Sequence, residues 1–388
     1  MNFDFIKHKE TEYLIPTILP DKEKYYFDLL NIENSFTGRL DVMFSNDFFR
    51  EASQLIINSI TLYEKGYFDC AFYSLRQSLE ISTTVVYFAD DDDENRKSEF
   101  RKWVQQERFP QQGQMLNQLQ NRKKTFFDIK QKMTSYFDDI EQIKRKLNKY
   151  VHKQGFDKFY IHRRNSFRSG LNENTLAKDF ELFLKKSIGA IGVFRLTIDP
   201  IPLLLNDEAI YKRTTQLMTD SFSDDFLEKY IGLNHIQAYK ETELFKSHYE
   251  YFIQNEEMSN AVTMLVKDDF YDRKNYDEVY NQKHLLGQHE LAAFTLFSFS
   301  TKIAQIHCYK GLLFFFSDVK SNNYDKTGFS SEDFNIFDNN QEKFNRQYEK
   351  ALLSNLKIYD EEYYIEHNEP FSEEEIDFMT IHYTQHAL

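Results

Sequence analysis

A mainly α protein, a helical bundle followed by a second, mostly helical domain, is predicted by three observations. Chain breakers are scarce: 11 Gly and 6 Pro stand against 38 Phe and 25 Tyr in 388 residues, which disfavours a loop-rich β fold. Apolar residues recur at three- and four-residue steps over long stretches, the spacing of one helix face. Aromatics at 16% and charged residues at 28% give a chain too apolar for disorder and long enough for two or three domains.

The elements follow in order. Residues 1–44, with Pro16 and Pro20, are expected to be an irregular N-terminal arm. The bundle is drawn over 45–205. From Asn46, the residues Ala52, Leu55, Ile56, Ile60 and Tyr63 line one face, and Gly66 closes that helix. A second helix over 67–89 carries Phe68, Phe72, Leu75, Leu79, Ser82 and Val86, and the two form an antiparallel hairpin. "DDDDEN" (90–95) is expected as a solvated loop, and Gln-rich polar sequence fills 97–120. A long helix over 126–153 has a continuous stripe of Ile129, Met133, Tyr136, Ile140, Ile143, Leu147 and Tyr150. Another spans 175–198 and stops before Pro200. The acidic, Tyr/Phe-rich remainder, 206–388, is expected to be mostly helical, with helices over 284–317, 340–358 and 372–386. In the last, "SEEE" fits a capping box with Ser372 as N-cap and Glu375 at N3.

Cys70 and Cys308 lie far apart and form no disulfide framework, which points to a reducing, cytoplasmic setting, with Cys70 a small buried apolar residue. "MNFDFIKHKE" has no basic start followed by an apolar segment, so no secretory signal is expected. "IPLLL" (201–205) and "LAAFTLFSFS" (291–300) are too short to span a bilayer, so no membrane association is expected.

Charge is unevenly placed. The chain carries a formal −14, yet residues 141–168 hold Lys144, Arg145, Lys146, Lys149, Lys153, Lys158, Arg163, Arg164 and Arg168 against only Glu141 and Asp157. With Ile143 set at zero and about 100° per residue, the apolar stripe centres near about 20°. Arg145 falls at about 200°, Asn148 at about 140°, Lys149 at about 240° and His152 at about 180°, opposite the helix's own core. A histidine exchanges protons near neutral pH, and an arginine fork matches a phosphate. RNA carries its own nucleophile, the 2′-OH, so such a pair suffices for cleavage without a metal or cofactor. The adjoining "FDKFYIHRRNSFR" (156–168) mixes Phe156, Phe159, Tyr160 and Phe167 with cations, a composition suited to single-stranded nucleic acid. The same mixture also suits a loop whose aromatics pack on the bundle.

The segment "KRKLNKYVH", with Arg145, six residues and His152, resembles the R-x(4–6)-H motif of the HEPN superfamily. The preceding "ASQLIINSITLYEKGYFDCAFYSLRQSLEIS" (52–82) looks like that family too, and the likeness covers roughly 40% of the chain. The resemblance implies a HEPN-like bundle with metal-independent endoribonuclease activity, in toxin, abortive-infection or other antiviral defence systems. It also implies a homodimer whose two Arg/His sets share one cleft. By carry-over, Arg145 stabilises the phosphate and His152 acts as acid or base, supported by Asn148, Lys149 and Lys146. RNA would be gripped by Lys144, Lys153, Lys158, Arg163, Arg164 and Arg168. Lys146 departs from the polar Asn, Asp or His that active members often carry after the arginine. The C-terminal half would sense a regulatory or phage-derived protein trigger, or position the dimer. The alternatives are a non-catalytic helical interaction protein and a nucleotide-binding regulator.

Other candidates fall away on spacing. His284 and His289 are about 140° apart on a helix and do not converge as two ligands would. His382 and His386, four apart, could clip a metal but sit near the C-terminus. "GAIG" (189–192) has no preceding strand, so it reads as helix packing, and no Walker A or G-x-S-x-G sequence is present. The stretch from Asp360 onward holds nine Asp/Glu and no Lys/Arg, a solvated acidic tail or a cover for the basic patch.

Overall fold

The computed structural model describes all residues except 1–3, 9–13, 15, 108, 160–172, 216–218, 324–327, 340, 359 and 385–388. The chain divides into two compact units: residues 1–211 with 218–254, and residues 212–217 with 255–388. The division therefore falls at 254/255 and not at 205/206, because neither Pro, Gly nor a composition shift marks it.

The first unit is helical. Its main helices are α1 (Lys22–Asn34), α2 (Ser45–Glu64), α3 (Phe68–Ala89), α4 (Asp93–Val104), α5 (Gln112–Arg122), α6 (Thr125–Lys132), α7 (Thr134–Val151), α8 (Glu173–Ile198), α9 (Leu233–Lys240) and α10 (Glu243–Ile253). The α2–α3 hairpin turns at Gly66, whose φ of 84° is left-handed. Helix α3 lies at the centre, against α2, α5, α7 and α8. The stripe from Ile129 to Tyr150 is buried throughout, as is the face from Phe68 to Val86. Burying such side chains contributes about 1.5–3 kcal/mol each. Rings interlock there: Tyr63 stacks on Phe180 at 3.8 Å, and Phe72 meets Tyr150 at 4.3 Å.

Four local expectations change. The arm holds α1, which buries Tyr25, Leu29 and Ile32. It is tied to α8 by the buried Arg195, whose Nε donates to the Ser35 carbonyl at 2.6 Å, and by Thr37, which donates to Asp199 at 2.6 Å. The expected 126–153 helix breaks at Met133, where ψ reaches 34°. The Gln-rich segment contains α4 and α5. "DDDDEN" is only partly solvated: Asp90 is 7% exposed and its carboxylate accepts from the Phe126 amide at the start of α6. Asp91 pairs with Arg122 at 2.8 Å, and Asp92 caps α4 through the Asn95 amide. "GAIG" is indeed helix packing. A Cβ on Gly189 would meet the Tyr230 carbonyl oxygen at 2.3 Å, so only glycine lets that backbone approach.

The second unit is not mostly helical. It contains α11 (Asn260–Lys267), α12 (Gln288–Phe299), α13 (Ser331–Asp338) and α14 (Glu373–Thr384) around a six-stranded sheet. The strands are β1 (Phe270–Tyr271), β2 (Ile303–Cys308), β3 (Leu313–Ser317), β4 (Arg346–Tyr348), β5 (Ala351–Ile358) and β6 (Glu361–His367). Their order is β1-β3-β2-β6-β5-β4, antiparallel except for β1 beside β3. The helix expected over 284–317 ends at Phe299 and gives way to β2 and β3, while that expected over 340–358 is β4 and β5. One sheet face packs Ile306, Phe315 and Ile365 against Val262, Leu265 and Phe297. The other packs Leu353 and Tyr364 against Phe334 and Phe337 of α13. Buried on both faces, β2, β5 and β6 lack the alternation that marks a half-exposed strand. The capping box at α14 is formed: the Ser372 amide donates to Glu375 at 2.7 Å and the Glu375 amide to Ser372 Oγ at 3.2 Å.

Among the described residues no helix is long and apolar enough to cross a membrane.

Candidate functional site

Helix α7 presents its basic end as the spacing predicts. Arg145, Lys146, Lys149 and His152 are exposed while Ile143, Leu147 and Tyr150 point into the core. His152 is the C-cap, its amide donating to the Asn148 carbonyl at 2.9 Å. The chain then reverses through Lys153 and Gly155, with φ of 51° and 101°. Arg145 lies 3.3 Å from Glu141 across one exposed helical turn, a pair that contributes little and leaves the guanidinium accessible.

The residues beneath this face were not legible in the motif. Helix α3 has only three charged side chains, Asp69, Arg76 and Glu80, and they form two clusters reaching α7 and its end. Arg76 Nε donates to Asn148 Oδ1 at 2.7 Å and its Nη2 to Glu80 at 2.6 Å. Asn148 is thus half-buried and held with its oxygen turned inward to α3. Asp69, buried in the first turn of α3, forms an ion pair with Lys153. The signal available in the sequence was charge inside an otherwise uncharged helix.

The remaining cations divide. Lys144 is half-buried and 3.9 Å from Glu141, and burial holds its amine below the ordinary lysine range. Lys158 Nζ stands 4.5 Å over the Tyr150 ring, whose hydroxyl donates to Asp179 at 3.3 Å. Lys153 and Lys158 therefore serve the turn after α7 as well as its charge. Arg163, Arg164 and Arg168 lie outside the described residues. Phe156, beside Lys158, is 71% exposed and meets Phe159 edge-on.

Two of the set-aside histidines have other partners. His284 is 2.8 Å from Glu256, and His289 lies between two tyrosine hydroxyls. His386 is outside the described residues. Among the described residues no three His, Cys, Asp or Glu side chains could hold a metal ion. Cys70 is exposed and not buried, because α3 turns that position away from α2 and α7. Cys308 is buried, and burial together with nearby carboxylates pushes its thiol up to about 12. Comparison with protein-family models, curated proteins and solved structures gives no match, so the site's own chemistry carries the functional reading.

Proposed function

We propose that the chain is a metal-independent endoribonuclease of the HEPN type it resembles, acting as a homodimer with two α7 ends in one groove. The observation that carries this reading is the joint exposure of Arg145, Lys149 and His152 over an Asn148 fixed by Arg76. A side chain held from below presents its neighbours in a set geometry, which a solvated helix end does not need. In the proposed reaction one His152 takes the proton of a ribose 2′-OH, whose oxygen attacks the adjacent phosphorus. Arg145 offsets the charge that builds on the phosphorane oxygens. The imidazolium of the second His152 gives its proton to the departing 5′-oxygen, leaving a 2′,3′-cyclic phosphate and a 5′-OH.

The test is cleavage of a panel of unstructured RNAs in EDTA, with mass determination of the ends. His152→Ala is expected to lose ~10²–10⁴ in rate with an unchanged thermal transition. Binding of RNA without cleavage by the wild type would leave a binding module. Neither binding nor cleavage would favour a protein-interaction role for the same bundle.

A further inference from the structure

The second unit holds a constellation that the RNA-cleaving reading does not use. At the turn between β2 and β3, Tyr309 and Lys310 both adopt left-handed backbone, with φ of 48° and 51°, before Gly311 at 83°. Two successive side-chain-bearing residues in that region are strained, and such strain persists where the surroundings enforce it. Gly311 is required, since a Cβ there would meet the Phe334 ring at 2.7 Å. The Tyr309 amide donates to the Glu361 carboxylate at 2.8 Å, which fixes the strained residue.

This conformation sets the Tyr309 hydroxyl 2.8 Å from Nε2 of His289 on α12. The other ring nitrogen, Nδ1, is 2.8 Å from the hydroxyl of Tyr363 on β6. Tyr363 is fully buried, whereas Tyr309 is 48% exposed. The imidazole thus stands between an inner phenol that orients it and an outer phenol open to solvent. This is the order of orienter, base and nucleophile that activates a hydroxyl. Carboxylates flank the turn. Burial pushes the thiol of Cys308, the residue before Tyr309, upward, and Glu361, Glu290 and Asp269 push it further. Burial, then Glu290 and Asp268, raises Asp269 to about 6. Negative potential here repels anionic substrates.

We propose that Tyr309 and His289 form a nucleophile–base pair that accepts an acyl group from an uncharged acyl donor, with Tyr363 as the residue that orients His289. The phenolic oxygen bonds to the carbonyl carbon as its proton passes to Nε2. The bond to the leaving group breaks, and the leaving group departs with that electron pair and is protonated by the imidazolium. The product is an O-acyl tyrosine.

The full chain is treated with N-acetylimidazole, and acetylation is followed by peptide mass spectrometry. Tyr73, Tyr251 and Tyr280 are internal references: they are 51%, 64% and 46% exposed, and among the described residues none is hydrogen-bonded to an imidazole. Tyr309 is expected to react on the order of 10²-fold faster than these, the low end for a positioned general base. His289→Gln should bring it down to their rate without slowing Tyr73. Tyr363→Phe should give an intermediate rate. Acetylation of Tyr309 at the reference rate, or at an unchanged rate in His289→Gln, overturns the proposal. If His289→Gln lowers the thermal transition, the wild-type comparison with the three references decides alone. The assay contains no RNA, so it succeeds or fails independently of the ribonuclease reading.

Discussion

Replacing Asp90 with asparagine should stabilise the helical unit at neutral pH. The side chain is 7% exposed, and burial raises its carboxyl to about 6, against the lowering pull of the Phe126 amide and Arg122. In the unfolded chain the same group has its ordinary value of 3.8. Between these values the folded state binds more protons than the unfolded one, so stability falls as pH rises through about 4 to 6 and is flat above. At 1.36 kcal/mol per pH unit, keeping the charged form buried costs about 3 kcal/mol at pH 7. Asparagine is isosteric, and its Oδ1 can still accept from the Phe126 amide. Asp90→Asn is therefore expected to gain up to about 3 kcal/mol, which is about 6–12 °C for a unit of this size. Denaturant titrations of both proteins from pH 4 to 8 give the difference curve, which should open between pH 4 and 6 and then stay constant. A variant less stable at pH 7, or a difference independent of pH, would refute the argument that desolvation outweighs the cap at Asp90.

Gly189→Ala should destabilise the helical unit by about 1–3 kcal/mol through overpacking against the Tyr230 carbonyl, read as a lower denaturant midpoint. Lys146→Glu with Lys149→Glu should flatten the salt dependence of single-stranded RNA binding by about 1.4 in log–log slope, with little change in melting temperature. Arg163→Glu with Arg164→Glu should weaken that binding in the same way, and a fall in melting temperature with intact affinity would assign those arginines to the fold. Arg76→Met should leave α7 folded but free Asn148. It is expected to lower the cleavage rate more than RNA affinity in single-turnover measurements.

The helical unit was legible because its signal is long and regular. The Ile129–Tyr150 stripe and the Phe68–Val86 face persist over many turns, and packing against α8 rewards both periodicities. The sheet was not legible. Its strands are short and three of them, β2, β5 and β6, are covered on two sides, so "ALLSNLKI" reads as well on a helix as on a strand. In the candidate site, exposure of Arg145, Lys149 and His152 followed from angular position alone. The inward turn of Asn148 did not, because it depends on Arg76, far away in sequence and adjacent only after the hairpin forms. The pairing of Lys153 with Asp69 was hidden for the same reason.

The order in which the two units use the chain bears on its synthesis. Helix α8 ends at Ile198, but Gly189 is packed by Tyr230, and the Leu196 carbonyl accepts from the Tyr239 hydroxyl at 2.7 Å. These partners leave the ribosome only after residues 212–217, which belong to the other unit. At about 5–20 residues per second, the interval between Tyr211 and Gln254 lasts about 2–9 s. Until Tyr230 and Tyr239 emerge, this face of α8 lacks its cover while Thr214, later bonded by Lys267 at 2.9 Å, is already synthesised. A nascent chain halted between 211 and 230 thus exposes the face of α8 that Tyr230 and Tyr239 cover in the finished fold.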